Sequence, residues 1–259
     1  MEKSRDYTIN AVKKALGLLK LFDEQNRELT LSQLSDMSGI GKSTMLRLLY
    51  TLSNEGFIDY DEETKKYSLG IELYRLGEIK YNSLDIRKIA RKHLQALCDE
   101  SNLICYLGVR HGDQLVMIDR VFPYNVPLWT QYLVPDDNRE LYSTGIGRLF
   151  LAHESDEAVE QYFNRVEIKS FTDCTITDKE TLMELVRQAR KDHYSGNIGE
   201  NELHICSLCA PVYDLEGKMT AGISICGPKH TLLGSNFDAY LQKIQDTAAV
   251  ISQSLGYRG

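Results

Sequence analysis

Three short groups of residues in this 259-residue chain have types and spacing that could do chemistry. The first is "GIGKST", residues 39–44. Gly-Lys-Ser is how a phosphate-cradling loop ends, since backbone amides and a lysine there can surround a nucleotide's phosphates. That loop needs G-x-x-x-x-G-K-[ST] between a strand and a helix. Counting back from Gly41, the first glycine belongs at 36, where the chain has Asp36. Its carboxylate repels phosphate, and the preceding "LSQLSDM" has a helical period. Both conditions fail, and nucleotide binding is set aside.

The second group is Cys206-x-x-Cys209, with His204 and His193 nearby. Zinc sites with this spacing usually need a second ligand pair. The segment "HICSLCAPV" also reads as a buried strand, in which residues three apart point to opposite faces. No metal and no cofactor are therefore expected, with a redox or metal sensor using Cys206, Cys209 and His204 as the alternative. The third group is small and polar: "STGIG" at 143–147, and Ser224 and Cys226 in "SIC". Ser143 and Thr144 can cap a helix, and Gly145 leaves its amide exposed to attract a carboxylate. Ser224 and Cys226 share one side of a strand, and Ser207 on a neighbouring strand can join them. Catalysis through Ser143, Cys226 or His204 would need a nucleophile elbow or a Ser/His/Asp set, and neither stands in recognisable context. The chain is not expected to be an enzyme.

These residues need elements to hold them. Residues 8–23 have a helical period, with Ile9, Val12, Leu16, Leu19 and Phe22 inward. "NRE" is a short loop. Thr30 and Gln33 make a capping-box signature for a second helix, with Leu31, Leu34 and Met37 inward and Gly39 suited to its left-handed end. A third helix from Lys42 turns Met45, Leu48, Leu49 and Leu52 inward and Ser43, Arg47, Tyr50 and Asn54 outward, and stops at Gly56. Strands at 57–60 and 66–69 form a hairpin. Two short helices joined by a tight Gly turn are a helix-turn-helix, whose second helix enters the major groove of DNA. Short Ser43 and Thr44 allow close approach to base edges, and Lys42 and Arg47 can reach phosphates or guanine acceptors. The hairpin is then a wing carrying Lys65 and Lys66.

Residues 1–70 hold 10 Lys and Arg against 11 Asp and Glu, so this domain is not basic as a whole. From Met37 to Asn54, however, there is no acid at all. A small field predicts weak nonspecific binding by one copy, so a dimer is needed for useful affinity. A winged helix that binds protein instead of DNA is the alternative at this level.

Residues 71–82 form a further helix with apolar residues on more than one stripe, suited to pairing with a second subunit. From Asp85 the pattern is a long amphipathic helix, a hairpin turning at His111-Gly112-Asp113, the helix behind Ser-Thr-Gly, and a helix at 178–193. Three strands and a last helix at 236–256 follow. This is α+β, with helices packed on an antiparallel sheet. The composition, 42 % hydrophobic and 26 % charged with net charge -7, is that of an ordinary globular protein. No stretch approaches the ~18 apolar residues of a membrane span. The six cysteines and the absence of an apolar leader suggest a cytoplasmic protein with reduced thiols.

Three motifs, in order, carry a resemblance: "GKSTMLRLLYTLSNEGFIDYDEETKKYSLG", "YSTGIGRLFLA" and "CAPVYDLEGKMTAGISICGP". On these the chain resembles the IclR-type transcriptional regulators over nearly its whole length. The resemblance implies a winged helix-turn-helix at 1–70, a linker helix at 71–84 and a GAF-like effector-binding domain at 85–259. It implies a homodimer or dimer of dimers on double-stranded DNA with two-fold symmetry, with no membrane involved. The implied DNA-facing set is Thr30, Ser32, Lys42, Ser43, Thr44, Arg47 and Tyr50, with Lys65 and Lys66 on the wing. The implied effector set is Gly145, Ile146, Asn197, Ser207, Ser224 and Cys226. A roof containing Leu128, Trp129 and Tyr142 would suit an apolar or aromatic body on a carboxylate. The chain departs from the family pattern where Gly41 replaces a common proline and Lys65-Lys66 a common Gly-Arg. It departs again where Asn197 replaces an acid, Ser207 a cysteine, Cys226 a serine and Ile146 a smaller alanine. The resemblance therefore carries over neither the effector's identity nor the sign of regulation.

Overall fold

The structure is a computed structural model, and it describes residues 7–82, 85–125 and 138–259. Two compact units divide the chain, Met1–Ser83 and Leu84–Gly259.

In the first unit, α1 (Asn10–Leu19) precedes strand β1 (Glu28–Thr30), α2 (Leu31–Ser38) and α3 (Lys42–Asn54). Strands β2 (Ile58–Asp61) and β3 (Lys66–Leu69) and helix α4 (Ile71–Asn82) follow. The capping box at α2 forms as expected: Thr30 Oγ1 accepts from the Gln33 amide, and Gln33 Oε1 accepts from the Thr30 amide. Gly39 ends α2 at φ 67°, where a side chain would be strained. The turn between α2 and α3 is closed by Ser35, which donates to the Ile40 carbonyl at 2.7 Å. Leu18, Phe22, Leu29, Leu34, Met45, Leu49, Ile58 and Tyr67 make the core.

Three expectations for this unit need correction. Part of the loop before Thr30 is strand β1, which pairs with β3 and turns the hairpin into a three-stranded sheet. Met37 is exposed, and Ser35 is the residue buried beside Leu34. On α1 the inward residue is Leu18, while Ile9, Val12 and Leu16 are exposed, Ile9 by 67 %. α1 is apolar around more of its circumference than this small core can cover. α4 likewise exposes Ile71, Tyr74, Leu76 and Ile79.

The second unit begins with α5 (Asp85–Ser101) and the hairpin β4 (Ile104–His111) and β5 (Gln114–Val121). Strand β6 (Asn138–Glu140) and a short 3-10 turn at Leu141–Ser143 lead into α6 (Gly145–Ala152). Then come α7 (Asp156–Arg165), α8 (Lys179–Asp192), β7 (Ser195–Ile198), β8 (Ile205–Tyr213), β9 (Met219–Pro228), α9 (Lys229–Leu232) and α10 (Phe237–Ser254). The strands form one antiparallel sheet in the order β6-β5-β4-β9-β8-β7. α5 and α10 cover one face, packing Leu94, Leu97, Ile244 and Ile251 on Leu107, Leu208, Ile223 and Ile225. A second core joins α6, α7 and α8 through Leu149, Tyr162, Leu182 and Val186, and reaches Cys209 and Leu115 of the sheet. α7 lies in a stretch to which the sequence reading assigned no element. Its apolar Val159, Tyr162 and Phe163 face that second core, and Ser155 caps it.

Candidate functional site

The first unit presents one polar surface with a consistent spacing. Ser43, Arg47 and Tyr50 stand on the outer side of α3, opposite the buried Met45 and Leu49. Lys42, Thr44 and, on α2, Ser32 are exposed as well. Thr30 is different, because its hydroxyl is committed to capping α2. Lys65 sits in the wing turn at φ 58°. Lys66 Nζ lies 3.3 Å from Glu28 of β1, so its charge is shared within the sheet. Asp59, Asp61, Glu62 and Glu63 stand on the same hairpin, with Asp61 accepting from the Glu63 and Thr64 amides. Those bonds favour the carboxylate and hold the Asp61 pKa below its usual range. The wing is thus acidic on balance, and the acid-free surface belongs to α3.

In the second unit, a cavity opens between the start of α6 and the outer face of the sheet. The strand register explains which side chains meet there. Ser207 pairs with Cys226 and Cys209 with Ser224, while Ser224 also pairs with Tyr106 on the far side of β9. Paired residues share a face, so these five side chains form one patch. Gly145 and Ile146 close the patch from above, and Asn197, Asn201 and Glu202 stand at the side. Arg120 and Arg139 line it too, and Arg120 stacks on Tyr106 at 5.6 Å. Among the described residues, the charged lining is two guanidiniums and one carboxylate.

Two close approaches bring α6 this near the sheet. A Cβ on Gly145 would stand 2.5 Å from Cys209 Sγ, and a Cβ on Gly222 would stand 2.5 Å from Ile146 Cγ2. The bulk of Ile146 is accommodated because its sheet partner is glycine. Thr144 caps the helix by accepting from the Gly147 amide at 3.0 Å. Ser143, expected to cap with it, instead donates to the Glu140 carbonyl. Of the first-turn amides, that of Ile146 is directed at the Cys209 sulfur, while Gly145, whose amide has no helical acceptor of its own, lies at the cavity.

A buried network fixes this corner. Arg148 is only 2 % exposed; it donates to the Tyr142 and Gly196 carbonyls and forms a two-pronged pair with Glu200. Asn197 and Asn201 both donate to the Ser143 carbonyl, at 2.6 and 2.7 Å. Thr172 and Thr175 donate to the Gly199 and Glu200 carbonyls. The helix start and the 199–202 loop are therefore one rigid piece.

The cysteines of the site are neutral. Burial pushes both Cys209 and Cys226 up to about 12. A thiolate would repel an anionic ligand, and a neutral thiol does not. Cys206 and Cys209 point to opposite faces, Cys206 into the core under α5 and α10 and Cys209 beneath α6, so they cannot grip one metal together. Among the described residues, no cluster of three or more His, Cys, Asp or Glu could hold a metal ion. Nor is any helix among them long and apolar enough to cross a membrane.

The structure brings Gly145, Ile146, Asn197, Ser207, Ser224 and Cys226 together around the cavity. It does not bring Tyr142 there. Tyr142 is fully buried, its hydroxyl donating to the Lys169 carbonyl and accepting from the Lys169 amide. This corrects its expected place in the roof: it packs within the second core, beneath the helix start. Leu128 and Trp129 lie outside the described residues. Tyr106, Arg120, Arg139, Asn201 and Glu202 were missed. Only the register between β4 and β9, more than a hundred residues apart, places Tyr106 beside Ser224.

Comparison with known proteins gives the family. Residues 11–62 match the IclR helix-turn-helix domain, and residues 80–253 match the bacterial transcriptional regulator IclR C-terminal domain. The HTH-type transcriptional regulator KdgR of Escherichia coli K12 is 29 % identical over 99 % of this chain and 96 % of its own length. KipR of Bacillus subtilis is 30 % identical over 95 % of this chain and 97 % of its own. The crystal structure of an IclR transcriptional regulator from Alicyclobacillus acidocaldarius is 25 % identical and superposes with a TM-score of 0.81, covering 95 % of this chain and 99 % of that one. An IclR homologue from Microbacterium hydrocarbonoxydans, solved with 4-hydroxybenzoate, shares the fold at 19 % identity and a TM-score of 0.78, over 95 % and 98 % of the two chains. With both domain profiles matched in order on an α+β scaffold, this chain belongs to the IclR family of bacterial DNA-binding transcriptional regulators.

Proposed function

We propose that the chain reads a two-fold symmetric operator as a paired molecule, and that a small organic acid held under α6 changes that reading. The observation that carries the effector half is the open start of α6 above a lined cavity. The Gly145 amide, two guanidiniums and neutral thiols suit a carboxylate at one end, while Tyr106, Met117 and Ile146 suit an apolar body beyond it. The 4-hydroxybenzoate bound by the Microbacterium homologue is a ligand of this general kind.

The DNA half rests on the acid-free face of α3. Ser43, Thr44 and Arg47 face the bases, and Lys42 and Tyr50 face the sugar-phosphate backbone. Ser32 and the wing residues Lys65 and Lys66 supply lesser backbone contacts. A second copy covers the apolar stripes left bare on α1 and α4, as a dimer or a dimer of dimers, and doubles a contact area that is weak singly. The protein acts in the cytoplasm, where its operator is. The acid acts by binding one geometry of the pair more tightly than the other; equal affinity for both would shift nothing.

The test is a Ser224→Leu variant, which fills the cavity from the sheet side. Gel-shift titration on the promoter fragment beside the gene, with and without an acid that stabilises the wild type, is the measurement. Operator binding survives in the variant and the acid's effect on it disappears. A retained response moves the effector site elsewhere.

A further inference from the structure

The apolar side chains of α3 do not all serve the core. Met45 and Leu49 are fully buried, and Leu48 and Leu52 are half-buried against the same cluster. Leu46 is not among them; it is 51 % exposed. A helix brings residues three and four apart onto one face, so Leu46 stands between Ser43 and Tyr50 and beside Arg47. All four are exposed, in the i, i+3, i+4, i+7 spacing of one stripe turned away from Met45. The sequence reading assigned Leu46 to neither side of the helix. A single exposed leucine on an ordinary surface asks for no explanation. This one is set in an otherwise polar row, within the acid-free stretch from Met37 to Asn54, on the second helix of a matched helix-turn-helix domain.

We infer that Leu46 is a specificity residue for the operator, and that its side chain packs on the C5-methyl of a thymine in each half-site. This rests on the reading of the outer face of α3 as the DNA surface. The major groove shows mostly hydrogen-bond donors and acceptors, and its apolar group is the thymine methyl. A leucine pressed on a cytosine amino group or on purine acceptors strips water from them and returns no bond, which is costly. Pressed on a methyl, it buries apolar surface on both sides. Its neighbours supply what such a contact lacks. Lys42 and Arg47 reach phosphates or guanine acceptors, and the short Ser43 lets the helix come close. A subunit contact is the other use of an exposed leucine, and it fits less well. The neighbours of Leu46 on that face are Lys42, Ser43, Arg47 and Tyr50, whereas α1 and α4 expose their apolar residues in series.

Deoxyuridine tests this, since it pairs as thymidine does and lacks only the methyl. An operator is isolated from a random duplex pool by binding to the full-length protein. Its thymines are replaced by deoxyuridine, one symmetric pair of positions at a time, and affinities are read by gel-shift titration at fixed salt. For the wild type, replacement at one pair of positions weakens binding by about fivefold. Leu46→Ala binds the unmodified operator more weakly by a similar factor and is indifferent to that replacement, as a coupled pair in a double-mutant cycle must be. Leu46 lies outside the core, so the variant keeps the wild-type melting temperature. Arg47→Ala, weaker overall, keeps the sensitivity to the methyl. If Arg47→Ala loses affinity but no position is sensitive to deoxyuridine in the wild type, the inference is overturned while α3 remains the DNA surface. A methyl preference that survives in Leu46→Ala has the same consequence. A smaller oligomer in Leu46→Ala on size-exclusion chromatography assigns the side chain to a subunit contact, and that also overturns it. If no sequence is enriched from the pool, or Arg47→Ala binds as the wild type does, the reading of α3 fails, and this inference with it.

Discussion

The two units present their chemistry in opposite ways. The face of α3 is an outward row of side chains, each displayed by helical spacing and supported only by the small core behind it. The cavity under α6 is assembled inward, from all six strands of the sheet, a helix start and a loop, and is locked by buried hydrogen bonds. A surface of the first kind can change one residue at a time without disturbing its neighbours. One of the second kind cannot, because the walls are also the fold.

Substitutions in the two units sharpen that contrast. The largest effect belongs to the buried pair. Arg148→Ala leaves Glu200 buried with no cation, and breaking such a pair costs about 3–5 kcal/mol. Chemical denaturation of the second unit reads this as a midpoint shift; an unchanged midpoint would mean the clamp contributes nothing. Arg47→Ala is the counterpart on the open surface. It weakens operator binding by about tenfold or more in a gel-shift titration at fixed salt, with melting temperature and oligomer size unaltered. Unaltered affinity would move the reading surface off α3. Thr30→Ala removes the cap of α2 and costs the first unit about 1 kcal/mol in a denaturant titration, showing Thr30 as a structural residue first.

An effect of pH appears only in the alkaline range. Cys209 and Cys226 have folded-state pKa values of about 12 against 9.0 for a free thiol. Their neutral forms are favoured by folding, so the stability they contribute is complete below pH 9 and is lost as pH rises towards 12. Alkaline titration of stability should fall more gently in a Cys209→Ala, Cys226→Ala double variant. At pH 8, iodoacetamide modifies the exposed Cys174 in the native protein and spares these two, as mass mapping can check.

How much was legible differs between the units for the same reason. Helix α3, the capping box at Thr30 and the left-handed Gly39 were readable because each is decided within a few residues. β1 was not, since three residues of strand carry no signal until β3 lies beside them. Ile9, Val12 and Leu16 were read as core because periodicity reports an apolar face and not what covers it. In the second unit, the shared face of Ser224 and Cys226 followed from a spacing of two, and the opposed faces of Cys206 and Cys209 from a spacing of three. Tyr142 was misplaced because adjacency to the helix start in sequence says nothing about which way a buried ring turns.

The sequence alone was enough for the family, for most of the elements in their order, β1 and α7 excepted, and for the polar, acid-free face of α3. These depend on local period, capping and motif spacing, which act over one or two turns of chain. Only the tertiary structure decided what the cavity is made of. Register across β4, β9 and β8 set Tyr106, Ser224, Cys209, Ser207 and Cys226 side by side, and the buried Arg148–Glu200 pair joined the start of α6 to the loop beside them. Neighbours across a sheet are fixed by pairing between distant segments, and no spacing along the chain encodes that.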